Sequence, residues 1–266
     1  MSDLPSFHSA TVDAIIDHAG RATIPFQRAH REEQHATAFW FNELVETSDE
    51  GEVVRQYLVT AGEPTRVDIA EFTLRPELCE PTMSAEKLLM ADFSERWTHL
   101  DRLGVAVMST AGLHAHGARK GWRWSTDEIT DGIAAGAEDI AALGAEPAAA
   151  YLLGHDVDPG TGARELVVVV GEVTRDEDGD VRWVGNVPRG CVGAPVFTGV
   201  PKGGDRFKLV CAGVLLPGDG DHPVAPFDRL RTALRALTPE ASAAPEPAGP
   251  RPRDHAPKQR WWRRRG

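Results

Sequence analysis

The sequence has few cysteines and no long apolar run. Cys79, Cys191 and Cys211 are its three cysteines, and no two of them have the Cys-x-x-Cys spacing. Three thiols cannot all pair, so this usage favours reduced, buried cysteines over a disulfide framework. No segment approaches the roughly 18 consecutive apolar residues that a membrane-spanning helix needs.

A leader peptide is also not evident at the N-terminus. Residues 1–20 carry acidic residues near their start and no apolar stretch long enough for the core of a signal peptide. We therefore expect a cytoplasmic protein. No pattern in the chain predicts a bound cofactor or a resident metal.

Charge is distributed unevenly along the chain. The formal net charge is −11, yet residues 251–266 concentrate basic side chains, so the remainder is more acidic than the total indicates. An acidic body argues against nucleic acid as its partner. The basic residues of this tail are Arg251, Arg253, Lys258, Arg260, Arg263, Arg264 and Arg265.

The composition and hydrophobic pattern of the sequence predict three regions. Residues 1–21 form a helical extension, because Val12, Ile15, Ile16 and Ala19 follow helical spacing. Residues 22–237 contain the folded domain. Residues 238–266 are rich in proline, alanine and charge, cannot bury much apolar area, and are predicted to be disordered.

Short strand-forming runs dominate the middle region. Residues 36–41 and 56–61 predict a hairpin, and further runs follow at 65–74, 104–109, 148–153, 165–174, 181–187, 196–198 and 207–215. Turns rich in Gly, Pro and Asp separate them, which favours an all-β sandwich or barrel.

Two helices are predicted among these strands. Ser125 and Glu128 have the spacing of a capping box, and an apolar stripe continues from Ile129 to Leu143 before Gly144. Near the end of the domain, one face of a closing helix carries Phe227, Leu230, Leu234 and Leu237.

The loop at residues 189–197, Arg-Gly-Cys-Val-Gly-Ala-Pro-Val-Phe, has the outline of a serine nucleophile loop. In that Gly-x-Ser-Gly-x-Pro pattern, Val192 occupies the serine position. An isopropyl group has no proton to give up and no lone pair with which to attack a carbonyl, so acyl-enzyme chemistry at this position is excluded.

Three blocks resemble the trypsin-like serine peptidase domain. Residues 36–41 and 57–61 are similar to the hairpin that carries the family's catalytic histidine, and residues 136–155 resemble the inter-barrel segment of many bacterial members. Residues 189–234 resemble the nucleophile loop and the entry to the terminal helix. The resemblance covers roughly residues 22–237 and implies two packed, antiparallel, six-stranded β-barrels.

The same resemblance implies that the catalytic triad is degenerate. The histidine position falls on Glu63, the aspartate position on Gly104 and the serine position on Val192. The backbone N–H groups of Gly190 and Val192, in the loop formed by Gly190, Cys191, Val192 and Gly193, would remain as a vestigial oxyanion hole, because that feature depends on loop shape.

Several other residues are candidates for functional groups. Cys191 is predicted to be a buried structural thiol. His114 and His116 would share one face of a strand but lack a third metal ligand, and residues 155–160 resemble a cation loop but fit a β-turn better. Ser109 and Ser125, beside His114 or His116, would be relocated nucleophiles.

Three functions are compatible with these observations. The first is a catalytically inactive protease homologue that binds a protein or peptide, with a regulatory or scaffolding role. The second is an active trypsin-like hydrolase with an atypical nucleophile, namely Ser109, Ser125 or Cys191. The third is a membrane-surface adaptor, or a contact to an acidic partner, through the tail residues Arg260, Trp261, Trp262, Arg263, Arg264 and Arg265.

Overall fold

The computed structural model describes residues 4–29, 34–48, 51–82, 87–203 and 206–237. The predicted disordered region at 238–266, with the basic tail residues, lies outside these described residues. No helix in the described part of the chain is long and apolar enough to cross a bilayer.

Strands far outnumber helices in the described residues, as the sequence predicts. In chain order, the first half contains α1 (Leu4–Ala19), β1 (Thr23–Arg28), β2 (His35–Ser48), β3 (Gly51–Ala61), β4 (Ile69–Thr73), β5 (Cys79–Glu80), β6 (Lys87–Ala91), β7 (Thr98–Leu100), β8 (Val105–Ser109), α2 (Ala111–Lys120), β9 (Arg123–Trp124) and β10 (Ile129–Thr130). The second half contains α3 (Ala137–Ala141), β11 (Ala148–Val157), β12 (Arg164–Arg175), β13 (Val181–Val184), β14 (Pro195–Pro201), β15 (Phe207–Leu215), β16 (His222–Pro226) and α4 (Phe227–Leu237).

Apart from β5 and β9, which pair with each other, the strands form two barrel-like sheets, and this confirms the predicted all-β double barrel. The second sheet closes as a six-stranded barrel in the order β11-β12-β13-β16-β15-β14. The first sheet has eight strands rather than the expected six. Seven run in the order β6-β4-β1-β2-β3-β8-β7, and β10 adds a short parallel pairing to β2.

Strand β2 supplies both hydrophobic cores. Successive side chains of a strand point to opposite faces, so Ala38 and Trp40 lie in the core of the first sheet while Phe39 and Phe41 lie in the core shared with the second barrel. All four are fully buried. This two-sided burial explains why residues 38–41 form a continuous apolar run rather than an alternating one.

The inter-barrel core is completed from the C-terminal end of the domain. Phe227, the first residue of α4, lies with its ring centroid 4.9 Å from that of Phe41 and 6.3 Å from that of Phe39. The closing helix buries Phe227, Leu230 and Leu234 of its predicted stripe, whereas Leu237, the fourth residue of that stripe, is 44% exposed. Phe227 therefore packs α4 against the first sheet as well as against the second barrel.

The predicted helix after Ser125 is wrong over most of its length. Ile129 and Thr130 form β10, and only Ala137–Ala141 is helical. The Ser125 hydroxyl accepts a hydrogen bond from Arg21 Nη1 at 3.2 Å, and Glu128 accepts one from Thr126 Oγ1 at 2.8 Å, so neither side chain caps a helix. The cap forms instead where Asp139 accepts from the N–H of Gly136 at 3.0 Å.

Candidate functional site

The loop at residues 189–194 is attached to the first sheet by a buried threonine. The N–H of Thr37 donates to the carbonyl of Val192 at 2.9 Å, and Thr37 Oγ1 donates to the carbonyl of Gly190 at 2.8 Å. Thr60, also fully buried, donates from Oγ1 to the carbonyl of Thr37 at 2.7 Å. We call Thr37 and Thr60 the threonine clasp.

Gly193 allows the loop to approach the clasp closely. A Cβ atom at this position would lie 2.1 Å from Thr60 Oγ1, 2.5 Å from the carbonyl oxygen of Thr37 and 2.9 Å from the N–H nitrogen of Ala61. Its φ of +85° is also in the left-handed region that favours glycine. The glycine of the motif is thus required by packing between the barrels.

Two backbone N–H groups of this loop lack the hydrogen-bond acceptors that neighbouring N–H groups have among the described residues. The N–H of Cys191 donates to the carbonyl of Pro188 at 3.1 Å, and the N–H of Gly193 donates to the carbonyl of Leu215 at 2.8 Å. Neither the N–H of Gly190 nor that of Val192 has an acceptor among the described residues. These are the two amides that the resemblance assigns to an oxyanion hole, and Gly190 is buried.

Glu63 and Gly104 lie side by side at the border between the two barrels. Glu63 begins a short 3-10 turn and is exposed, and Gly104 has a φ of +66°. The N–H of Gly62 donates to the carbonyl of Gly104 at 2.7 Å. Both positions line a groove of 300 Å³ with Arg66, Asp101, Leu216 and Pro223. Val192 is not among the residues that line it.

Sequence reasoning missed a histidine near this groove. His99 Nε2 lies 2.9 Å from Thr65 Oγ1, and Thr65 Oγ1 donates to the carbonyl of Gly62 at 2.7 Å. Because the hydroxyl proton is used by Gly62, His99 donates to Thr65 and does not activate it. Burial and the charge of Arg66 lower the pKa of His99, against the opposing effect of Asp101.

The thiol of Cys191 is buried, as predicted. Burial is the main cause that raises its pKa to about 12, with the charge of Asp156 acting in the same direction. A reactive cysteine needs a thiolate. The structure therefore gives Cys191 a packing role against Gly154, where a Cβ atom would lie 2.7 Å from the sulfur.

The other suggested nucleophiles are not paired with a histidine. Ser109 Oγ accepts from the N–H of Ala111 at 3.4 Å, and His114 Nε2 lies 2.7 Å from Gln56 Oε1. Ser125 contacts Arg21. Among the described residues, none of these hydroxyls forms a hydrogen bond to an imidazole.

The expectation that His114 and His116 share one face of a strand is wrong. Both lie on α2, where residues two apart point in different directions. His116 packs its ring against Trp122, with centroids 6.3 Å apart. The helix ends at Gly121, whose φ of +81° suits a left-handed cap.

Residues 155–160 contain a strand end and a turn, as the β-turn prediction states. Asp158 Oδ1 accepts from the N–H groups of Gly160 at 2.9 Å and Thr161 at 2.6 Å, and from Thr161 Oγ1 at 2.9 Å. Hydrogen bonds from Thr161 and then from Gly160 lower the pKa of Asp158. Its carboxylate is thus used to fold its own loop.

His155 lies beneath the 189–194 loop. Its side chain is fully buried, and its Nε2 is 3.1 Å from Thr23 Oγ1, while Nδ1 has no partner among the described residues. Burial, followed by the charge of Arg75, lowers the pKa of His155 to about 3. Gly190 is required above it, since a Cβ there would lie 2.5 Å from the carbonyl oxygen of His155.

Stability should decrease as the pH is lowered, because His155 is neutral when buried. The unfolded chain takes up a proton here below about pH 6.5, whereas the native chain does so only near pH 3. The contribution is fully present above the unfolded pKa and declines as pH falls towards 3. From pH 7 to 5 the wild type should lose about 2 kcal/mol more unfolding free energy than His155→Gln, measured by urea titration.

The comparison of wild type with His155→Gln contains its own control, because the carboxylates that titrate over the same pH range are common to both proteins. Equal slopes for wild type and His155→Gln would contradict the assignment of a neutral buried imidazole.

Comparison with known proteins gives the fold. No model of a protein family matches the chain, and no curated protein matches it in sequence. A variant of the HtrA-type protease AlgW with a tripeptide is similar in structure, with a TM-score of 0.50, 12% identity, and coverage of 85% of this chain and 63% of that chain. AlgW with a tripeptide gives 0.49 at 12% identity, over 85% of this chain and 63% of that chain.

A third similar structure is a thermostable serine protease, AL20, from an extremophilic microorganism. It has a TM-score of 0.44 and 13% identity, and the match covers 82% of this chain and 98% of that chain. The chain spans 63% of the length of the AlgW structures it matches. Together with the two barrel-like sheets, the likeness to the first structure establishes a trypsin-like double-barrel fold.

Proposed function

We propose that this chain is a catalytically inactive trypsin-like protease homologue that binds a protein or peptide segment at the loop of residues 189–194. The observation that carries the proposal is the pair of amides of Gly190 and Val192, which lack acceptors within the described residues. Buried or half-buried N–H groups favour an acceptor. A peptide carbonyl or a C-terminal carboxylate would supply one.

The chemistry around the loop supports binding rather than turnover. Val192 offers no nucleophile, and the Cys191 thiol has a pKa of about 12. Thr65, whose hydroxyl contacts His99, is fully buried and donates its proton to Gly62. Loss of a nucleophile removes the covalent route, while amides held by backbone shape are retained.

The first test of this proposal is a reactivity assay. We expect the purified wild type to show no covalent labelling by a fluorophosphonate probe and no casein turnover. Cys191→Ala should behave identically. Val192→Ser should also remain inactive, because the restored hydroxyl would have no imidazole at the position of Glu63 to take its proton.

An active trypsin-like protease serves as the positive control in the same assay. Mapped labelling of any serine in the wild type would overturn the inactive assignment and would identify the nucleophile. Turnover that is lost in Cys191→Ala would overturn it as well, in favour of a thiol mechanism.

The second test concerns binding at the two amides. Acetylated octapeptide mixtures with a free C-terminal carboxylate, and the same mixtures with an amidated C-terminus, are titrated into ¹⁵N-labelled protein. The amide resonances of Gly190 and Val192 should shift with at least one of the two mixtures. Those of Cys191 and Gly193 should move less, because both are already bonded to carbonyls.

The two peptide mixtures also identify the recognised group. Shifts with the free carboxylate alone would indicate capture of a C-terminus, and shifts with both would indicate recognition of an internal carbonyl. Absence of any change at Gly190 and Val192 with both mixtures would contradict the binding proposal, whatever the result of the reactivity assay.

A further inference from the structure

A second cavity is lined by residues of both barrels. Its volume is 420 Å³. Gln27, Thr73 and Lys87 border it from strands β1, β4 and β6 of the first sheet, and the turn between β11 and β12 borders it from the second barrel. His35, Arg164 and Arg189 also line it. Neither Gly190 nor Val192 is part of this wall.

Arg164 is buried in this wall with little compensation for its charge. Its side chain is only 6% exposed, and its Nε has no hydrogen-bond partner among the described residues. Arg164 forms a long ion pair with Glu71, in which Arg164 Nη2 lies 3.8 Å from Glu71 Oε1. A guanidinium removed from water in this way favours a closer anionic acceptor.

Glu71 is already engaged by other donors. Its Oε1 accepts from Lys87 Nζ at 2.9 Å and from Gln27 Nε2. Burial opposes ionisation of Glu71, but these donors together outweigh it and lower the pKa of the carboxyl. Oε1 of Glu71 is therefore shared by the side chains of Gln27 and Lys87 and by the more distant guanidinium of Arg164. Hydrogen-bond donors thus outnumber acceptors around this oxygen.

A second buried donor borders the same cavity. Thr73 Oγ1 is buried and has no partner within the described ranges, and Thr73 lines the cavity with Arg164. Buried hydroxyls are ordinarily hydrogen-bonded. Two buried groups without a hydrogen-bond partner among the described residues therefore belong to residues that line one cavity, and one of the two is charged.

The charges that border the cavity favour a singly charged anion. Arg164, Lys87 and Arg189 border it with positive charge, Asp158 borders it with negative charge, and Glu71 adds a second negative charge beside Lys87. Asp158 Oδ1 is used by the turn N–H groups and by Thr161. Among the described residues, the formal count is one positive charge in excess, which suits a singly charged carboxylate better than a doubly charged phosphate.

We propose that this cavity binds a small organic carboxylate through Arg164, Lys87 and Thr73. The site is separate from the proposed peptide site, and its ligand would contact both barrels at once. It also adjoins the peptide site along the chain, because Arg189 in its wall directly precedes Gly190. The N–H of Val157 donates to the carbonyl of Arg189 at 3.1 Å, so the cavity and the loop share a backbone contact.

Calorimetric titration of the full chain with propionate, a singly charged carboxylate, tests this assignment, with phosphate and sodium chloride at matched ionic strength as comparisons. Propionate should bind saturably. Thr73→Val, which removes the hydroxyl and keeps the side-chain size, should weaken binding about fivefold, and the double variant Arg164→Gln with Glu71→Gln by about tenfold or more. The double variant removes both charges of the pair, so no uncompensated carboxylate is left buried.

A matched pair on the surface provides the control. Arg66→Gln with Asp101→Asn removes an arginine–carboxylate ion pair outside this cavity and should leave propionate binding unchanged. Equal affinity in wild type, Thr73→Val and the double variant would overturn the site. Absence of saturable binding would do the same, and tighter binding of phosphate than of propionate would overturn the choice of a carboxylate.

Discussion

Gly193→Ala should lower the free energy of unfolding by about 4 kcal/mol, or prevent folding, because two costs combine at this residue. The new methyl group would meet Thr60 Oγ1 at 2.1 Å and the carbonyl oxygen of Thr37 at 2.5 Å. Both neighbours belong to the buried threonine clasp and cannot move without breaking the hydrogen bonds to the loop. A left-handed φ of +85° adds backbone strain for any residue with a Cβ.

Gly121→Ala separates these two costs. Gly121 has a φ of +81°, and no atom beyond its neighbours in the chain lies within 4 Å of the position that an alanine methyl group would take there, so it carries the backbone strain without the clash. We expect it to lose about 1 kcal/mol in urea titrations. A Gly193→Ala loss no larger than that of Gly121→Ala would contradict the close approach of the loop to the clasp.

Phe227→Ala should lower the free energy of unfolding by about 4 kcal/mol, because it removes a fully buried aromatic ring from the inter-barrel core. The ring lies between α4 and the Phe39 and Phe41 side chains of β2. Its loss therefore weakens contacts across the two barrels as well as within the second one. Urea unfolding followed by circular dichroism measures the change.

The same helix contains a matched control for Phe227. Leu237, its last residue, is 44% exposed, so Leu237→Ala should change stability by less than about 0.5 kcal/mol. Comparable losses for the two variants would contradict the assignment of Phe227 as the anchor of α4. A separate early transition in Phe227→Ala would indicate that the barrels unfold independently.

The threonine clasp was within reach of sequence reasoning but was not predicted. Thr37 lies on the same face of β2 as Phe39 and Phe41, since alternate residues of a strand share a face. A polar residue in register with two residues that face the second barrel is a signal of a specific contact there. Its partner, the carbonyl of Val192, belongs to a loop of the second barrel far along the chain and could be identified only in three dimensions.

Local sequence patterns gave wrong structural predictions at positions where tertiary contacts outweighed them. Ser125 and Glu128 have capping-box spacing, but Arg21, Thr126 and Gln56 occupy their side chains. His114 lies on a helix rather than a strand, and its imidazole contacts Gln56 on β3. In both cases a competing partner comes from another strand or from the N-terminal segment, so no local window contains it.

By itself, the sequence determined the all-β class, most strand positions and the closing helix. These depend on the two-residue period of strands, on turn residues and on side-chain chemistry, all of which are local. Tertiary structure alone decided which loop amides lack acceptors, how close Gly193 lies to the clasp, and that Arg164 and Thr73 share one cavity. Those features arise where segments distant in sequence meet, because hydrogen bonds and burial depend on the partner across the interface.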